Sequence, residues 1–259
     1  MFSLLRRRRR TTLRATPLPD SWWSIIDRRV PLIRAMSEAD RRELAGHIQI
    51  LLAEKTFEGC AGLVITDEIR VTIAAQAAVL LLHRESGYFP TLRTILVYPR
   101  AYVSTLPRRN PDGSITEEPQ TRLGESWHQG LPGGSIVLSW DNVLKGAADS
   151  ADGHNVVLHE FAHQLDSESG GMEGAPALPS AAMYRDWARV LGREYSDLIE
   201  QLHQGHHTLL DPYASTNPAE FFAVATEFFF ERPAAMRAQH PELYEQLAKF
   251  YSQDPAKNV

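Results

Sequence analysis

Residues 155–167, NVVLHEFAHQLDS, constrain this chain more than any other stretch. Val156, Val157, Leu158, Phe161 and Leu165 make an apolar bed at helical spacing, so a helix from about Asn155 to Ser167 is expected inside the fold. The same helix carries His159, Glu160 and His163, and buried polar groups are costly unless something pairs with them. A helix turns about 100° per residue, so positions four apart lie only about 40° out of line. His159 and His163 can therefore aim their rings at one ion. Glu160 sits beside them, offset from direct ligation but close enough to reach a water on that ion. This is the mechanical content of an H-E-x-x-H spacing, which points to zinc.

Two histidines leave a catalytic zinc one protein ligand short, since such sites usually have three and keep one position for water. Four candidates stand out. Asp166 follows His163 by three residues, but its short side chain is better suited to steadying a ligand than to being one. The HQGHH cluster (His203, His206, His207) surrounds a glycine in a polar turn and reads as a solvated loop. Glu220 and Glu227 share the stretch DPYASTNPAEFFAVATEFFF, where five phenylalanines (221, 222, 228, 229 and 230) mark a buried helix. Asn217 suits its N-cap and Pro218 its first turn, so Glu220 is also placed to close a capping box. The two glutamates are seven residues apart, on one face, and helical periodicity alone does not choose between them. His154, five residues ahead of His159, reads as a helix-start or surface histidine.

The remaining pattern is mixed. The segment 21–60 is largely helical, with SEADRRELAGHIQILLAE at helical spacing, and TDEIRVTIAAQAAVLLL is a central helix opened by Thr66. RTILVYP (93–99) and GGSIVLSW (133–140) read as strands, and the segment between them has the turn chemistry of an exposed loop or hairpin tip. Strand 133–140 is open to two readings, an edge strand that pairs with an extended peptide or a plain core strand. Further helices are expected over about 179–204, 218–231 and 241–252. Residues 1–20, with arginines at 6–10, are expected as a flexible tail, and 21–259 as one domain.

A formal charge of −5 argues against a dedicated nucleic-acid binder. The single cysteine, Cys60, rules out an intramolecular disulfide and a cysteine-based zinc site, and fits a reducing compartment. No apolar run is long enough to span a bilayer, and no apolar stretch follows the arginines as a secretory signal would require. The expected location is cytoplasmic.

HEFAHQLD followed by DPYASTNPAEFFAVATEFFF resembles the Mlc titration factor A family of zinc-dependent peptidases, whose active site is similar to that of the anthrax lethal factor catalytic domain. The likeness extends to GLVITDEIRVTIAAQAAVLLL, ILVYP and GSIVLSW, covering roughly residues 25–250. The family pattern places a tyrosine seven residues before a glutamate, and Tyr213 and Glu220 match it. The resemblance implies one zinc ion on His159, His163 and Glu220, with Glu160 as general base, Tyr213 as a catalytic tyrosine and Glu227 in a supporting role. It implies an α+β zincin-like fold and a peptide substrate cleaved in an aminopeptidase-like way. It also implies an alternative function, sequestration of an Mlc-type glucose-responsive repressor.

Overall fold

The computed structural model describes residues 2–85, 87–109, 115–122, 124–127 and 134–257. Helices α1 (Phe2–Ala15), α2 (Asp20–Arg29) and α3 (Glu38–Glu54) lead into strand β1 (Thr56–Gly59) and the central helix α4 (Asp67–Val79). Strands β2 (Thr94–Tyr98), β3 (Tyr102–Arg109), β4 (Ile115–Arg122), β5 (Gly124–Trp127) and β6 (Ser135–Ser139) follow. The remainder is helical: α5 (Trp140–Ala148), α6 (Val156–Ser167), α7 (Ala181–His203), α8 (Pro218–Glu231), α9 (Pro233–Gln239) and α10 (Pro241–Tyr251).

The main sheet has the order β1-β2-β6-β5, with β1, β2 and β6 parallel and β5 antiparallel to β6. Every residue of β6 is buried, as expected of an apolar strand with neighbours on both sides. Of the two readings of this strand the core one holds, because β2 and β5 occupy its two edges. The outer position belongs to β5, which pairs Glu125 with Val137. β3 and β4 form a separate antiparallel hairpin, so the segment 106–120, expected as an exposed loop or hairpin tip, is strand over 106–109 and 115–120, and residues 110–114 lie outside the described residues.

Local chemistry explains the helix boundaries. Thr66 caps α4 by accepting from the Ile69 N–H, and Ser37 caps α3 by accepting from the Asp40 N–H. α8 is buried along almost its whole length, and its aromatic side chains tie the C-terminal helices together. Phe222 meets Trp187 edge-on at 5.7 Å, and Phe229 stacks on Tyr251 at 5.7 Å. Each such ring contributes roughly 1.5–3 kcal/mol through burial alone. On the other side of α6, Phe161 meets Phe89 edge-on at 4.8 Å. α6 packs against α8 and against strands β5 and β6 of the sheet.

Residues 2–15, expected as part of a flexible tail, form α1 instead. The stabilising contacts come from arginines one turn apart. Arg10 grips both oxygens of Glu54 at 2.8 Å, Arg6 reaches the same carboxylate at 2.7 Å, and Arg14 donates to the Tyr88 hydroxyl at 2.6 Å. Among the described residues no helix is long and apolar enough to cross a membrane.

Candidate metal centre

The site is assembled where α6 crosses α8. Asn155 caps α6, its Oδ1 accepting from the N–H groups of Val157 and Leu158, both at 3.1 Å. One turn in, His159 and His163 meet with ring centroids 4.9 Å apart and Nε2 atoms 3.2 Å apart. Glu220 arrives from the first turn of α8. Its N–H donates to the Asn217 side chain at 3.0 Å, as an N-cap requires, while its carboxylate turns to the histidines. Glu220 Oε2 lies 3.0 Å from His159 Nε2 and 3.4 Å from His163 Nε2.

Among the described residues, these three form the one group of His, Cys, Asp or Glu side chains whose ligand atoms converge closely enough for a metal ion. Zinc bonds of about 2.0–2.1 Å at tetrahedral angles would put neighbouring ligand atoms about 3.3 Å apart. The separations here, 3.0, 3.2 and 3.4 Å, match that spacing. Proton bookkeeping points the same way. Glu227 Oε1 lies 2.8 Å from His159 Nδ1, so a neutral His159 with its proton on Nδ1 would offer a bare lone pair at Nε2 to a cation. The Nε2 atoms of both imidazoles and the Glu220 carboxylate face one point, a donor set that fits a cation.

Burial opposes protonation of His159, yet the charge of Glu227 and the hydrogen bonds to Glu220 and Glu227 outweigh it and raise its pKa well above the ordinary value. Burial likewise opposes ionisation of Glu220, but hydrogen bonds from His159 and His163 prevail and hold it down to about 2. Glu160, beside the cluster, is buried with Oε2 unpartnered among the described residues, and its desolvation pushes it up to about 7 against the pull of the histidines.

Tyr213 sits on a short 3-10 turn, Pro212–Ser215, where Asp211 accepts from its N–H at 2.7 Å. Its ring is exposed and its centroid is 6.1 Å from that of His159. Desolvation first, then the charges of Glu220, Glu160 and Glu227, push its hydroxyl up to about 12. A cleft of about 540 Å³ opens beside the cluster, lined by His163, Met172, Glu173, Asn217, Ala219 and Glu220.

Asp166 is buried. Its Oδ2 accepts from the Gly174 N–H at 2.8 Å, and Trp187 donates to the Gly174 carbonyl at 2.8 Å. Gly174 has φ +73°, and a Cβ there would lie 2.2 Å from the Pro218 carbonyl oxygen. The loop after α6 is thus pinned against the start of α8, where Glu220 is presented. The histidines of HQGHH are exposed and stand outside the cluster, and His154 Nε2 lies 3.9 Å from Asp211 on the surface.

Three residues of this region had no place in the sequence reading: Gln76, Asn155 as a side chain, and Glu231. An asparagine directly before an apolar periodic run is an N-cap signature. A glutamine within the otherwise apolar middle of α4 needs a buried partner. Those were the available signals.

The family described as glucose-regulated metallo-peptidase M90 matches residues 4–252. The uncharacterized protein slr2042 of Synechocystis is 42% identical over 243 residues, spanning 93% of this chain and 87% of that protein. Proteins named Mlc titration factor A from Yersinia pestis and Yersinia pseudotuberculosis are 29% identical over 233 residues, spanning 87% of this chain and 82% of theirs.

Proposed function

This chain belongs to the glucose-regulated metallo-peptidase M90 family, and from that premise we propose that it hydrolyses peptide bonds with one zinc ion held by His159, His163 and Glu220. The observation that carries the reading is the convergence of those three ligand atoms within 3.0–3.4 Å of one another. The α+β arrangement, with a mixed sheet behind the HEFAH helix, is compatible with a zincin-like fold.

Bound zinc would polarise the scissile carbonyl and lower the pKa of the attacking water. The side chains of this chain supply the rest. Glu160, buried beside His159 with a free oxygen, takes the proton from that water and passes it to the leaving amine. Tyr213 donates a hydrogen bond to the oxygen on which charge develops, its raised pKa keeping the hydroxyl protonated. Glu227 holds His159 by Nδ1 and so presents Nε2 to the metal.

The surroundings of the site also favour a peptide substrate. Among the described residues β5 is the outer strand of the sheet, and it contacts α6, so an extended peptide can add to its outer edge. In the cleft wall the Glu173 carboxylate is exposed and makes no hydrogen bond or ion pair among the described residues. It suits a substrate ammonium, which favours aminopeptidase-like cleavage of short peptides. The single cysteine favours a cytoplasmic setting.

The names of the Yersinia relatives favour a second reading, binding of an Mlc-type repressor, and the two are compatible. The Glu160→Gln variant separates them. It should retain zinc and any repressor binding while peptide cleavage falls by about 10²–10⁴-fold. Cleavage by that variant at the wild-type rate would remove Glu160 from the mechanism.

A further inference from the structure

Asn155 uses every hydrogen-bonding group it owns. Its Oδ1 caps α6, and its carbonyl accepts from the His159 N–H at 2.9 Å. Its N–H donates to Glu227 Oε2, and its Nδ2 donates to Gln76 Oε1 at 2.9 Å and to Glu231 Oε1 at 3.0 Å. All four of these side chains are buried. Glu227 closes the ring by accepting from His159 Nδ1 through its other oxygen, 2.8 Å away.

Capping alone does not explain an asparagine here. Serine, threonine or aspartate would cap α6 as well. Only an amide offers a cap acceptor together with two donors, and those donors reach two other helices, α4 through Gln76 and α8 through Glu231. We infer that Asn155 is a positioning residue that, clamped between Gln76 and Glu231, sets the angle of the α6 histidines against Glu220. It acts through the backbone of α6 and through Glu227. This rests on the metal site proposed above and is independent of whether peptides are cleaved.

The test is the zinc dissociation constant of the full chain, measured by competition with a chromophoric chelator. Asn155→Ser keeps a cap acceptor and deletes both Nδ2 donors. Its zinc affinity should fall about tenfold or more, as for outer partners of metal ligands, with helical content retained. Glu231→Leu should reproduce the loss. Glu231→Gln, which still offers Asn155 an oxygen, should bind zinc within about threefold of wild type, far short of the usual outer-partner loss. This pair carries the test should Asn155→Ser fail to fold. Thr226→Val is the control for general loosening of α8, since it breaks the 2.8 Å Thr226–Tyr251 bond away from the ring. It should lower the melting temperature without moving zinc affinity. Wild-type zinc affinity in both Asn155→Ser and Glu231→Leu, or an equal loss in Thr226→Val, would overturn the inference. Tight zinc binding without peptide cleavage would instead sink the peptidase reading alone, and a wild type with no zinc affinity would sink both.

Discussion

Glu220 and Glu227 reach the same imidazole from its two ends, Glu220 at Nε2 and Glu227 at Nδ1 of His159. Seven residues apart on one helix face, they were indistinguishable by periodicity, and no property of either residue type separates ligand from support. The difference lies in how α8 crosses α6, which is tertiary information. Substituting Glu227 by Ala should therefore weaken zinc binding by about 10–100-fold without abolishing it, measured by chelator competition. Tyr213→Phe should leave zinc content and KM near wild type while kcat falls about 10²–10³-fold in steady-state peptide cleavage. A fall in KM-dependent binding with kcat intact would instead make Tyr213 a substrate contact. The HEFAH residues were legible because their spacing is local. The contacts of the Asn155 amide with Gln76 and Glu231 were not, because 79 residues separate the hydrogen-bonded Asn155 and Gln76.

At the scale of elements, long apolar segments were readable and short or polar ones were not. The capped helices α3, α4, α6 and α8 carry their own start signals in Ser37, Thr66, Asn155 and Asn217. β1 and β5, four residues each, have too little pattern to announce a strand. α1 is stabilised by Arg6, Arg10 and Arg14 at four-residue spacing, a charge pattern that acquires meaning only once Glu54 and Tyr88 are beside it. Asp166, expected to steady a ligand, accepts from the Gly174 N–H and so fixes the loop after α6. A Gly174→Ala substitution tests that loop. Its positive φ and the nearby Pro218 oxygen make a methyl group intolerable without movement of the α8 start. The variant should lose on the order of 1–3 kcal/mol in denaturant unfolding and bind zinc more weakly, because Glu220 shifts with Pro218.

The whole molecule carries a stability penalty around its buried acids. Burial pushes Glu231 up to about 8, against the hydrogen bond from Asn155 and with the charge of Glu227 adding to the rise. The folded state therefore holds a proton there that the unfolded chain releases above its ordinary value of 4.5. This contribution to stability is full below that value and is lost as pH rises toward 8. At about 1.4 kcal/mol per pKa unit, Glu231→Gln should gain about 2 kcal/mol or more on metal-free wild type between pH 5 and pH 8, read from urea unfolding. A constant difference across that range would place the acid in a more polar setting than its burial implies. Zinc at 100 times its dissociation constant should add about 2.7 kcal/mol to the stability of the folded chain.

The central claim is that α8 delivers the third metal ligand through Glu220. It is tested most directly by elemental analysis of Glu220→Ala after dialysis against a weak zinc buffer, alongside wild type. Wild type should carry one zinc per chain and the variant almost none, with the variant still folded. Full zinc occupancy in Glu220→Ala would contradict it and move the third ligand elsewhere on the site.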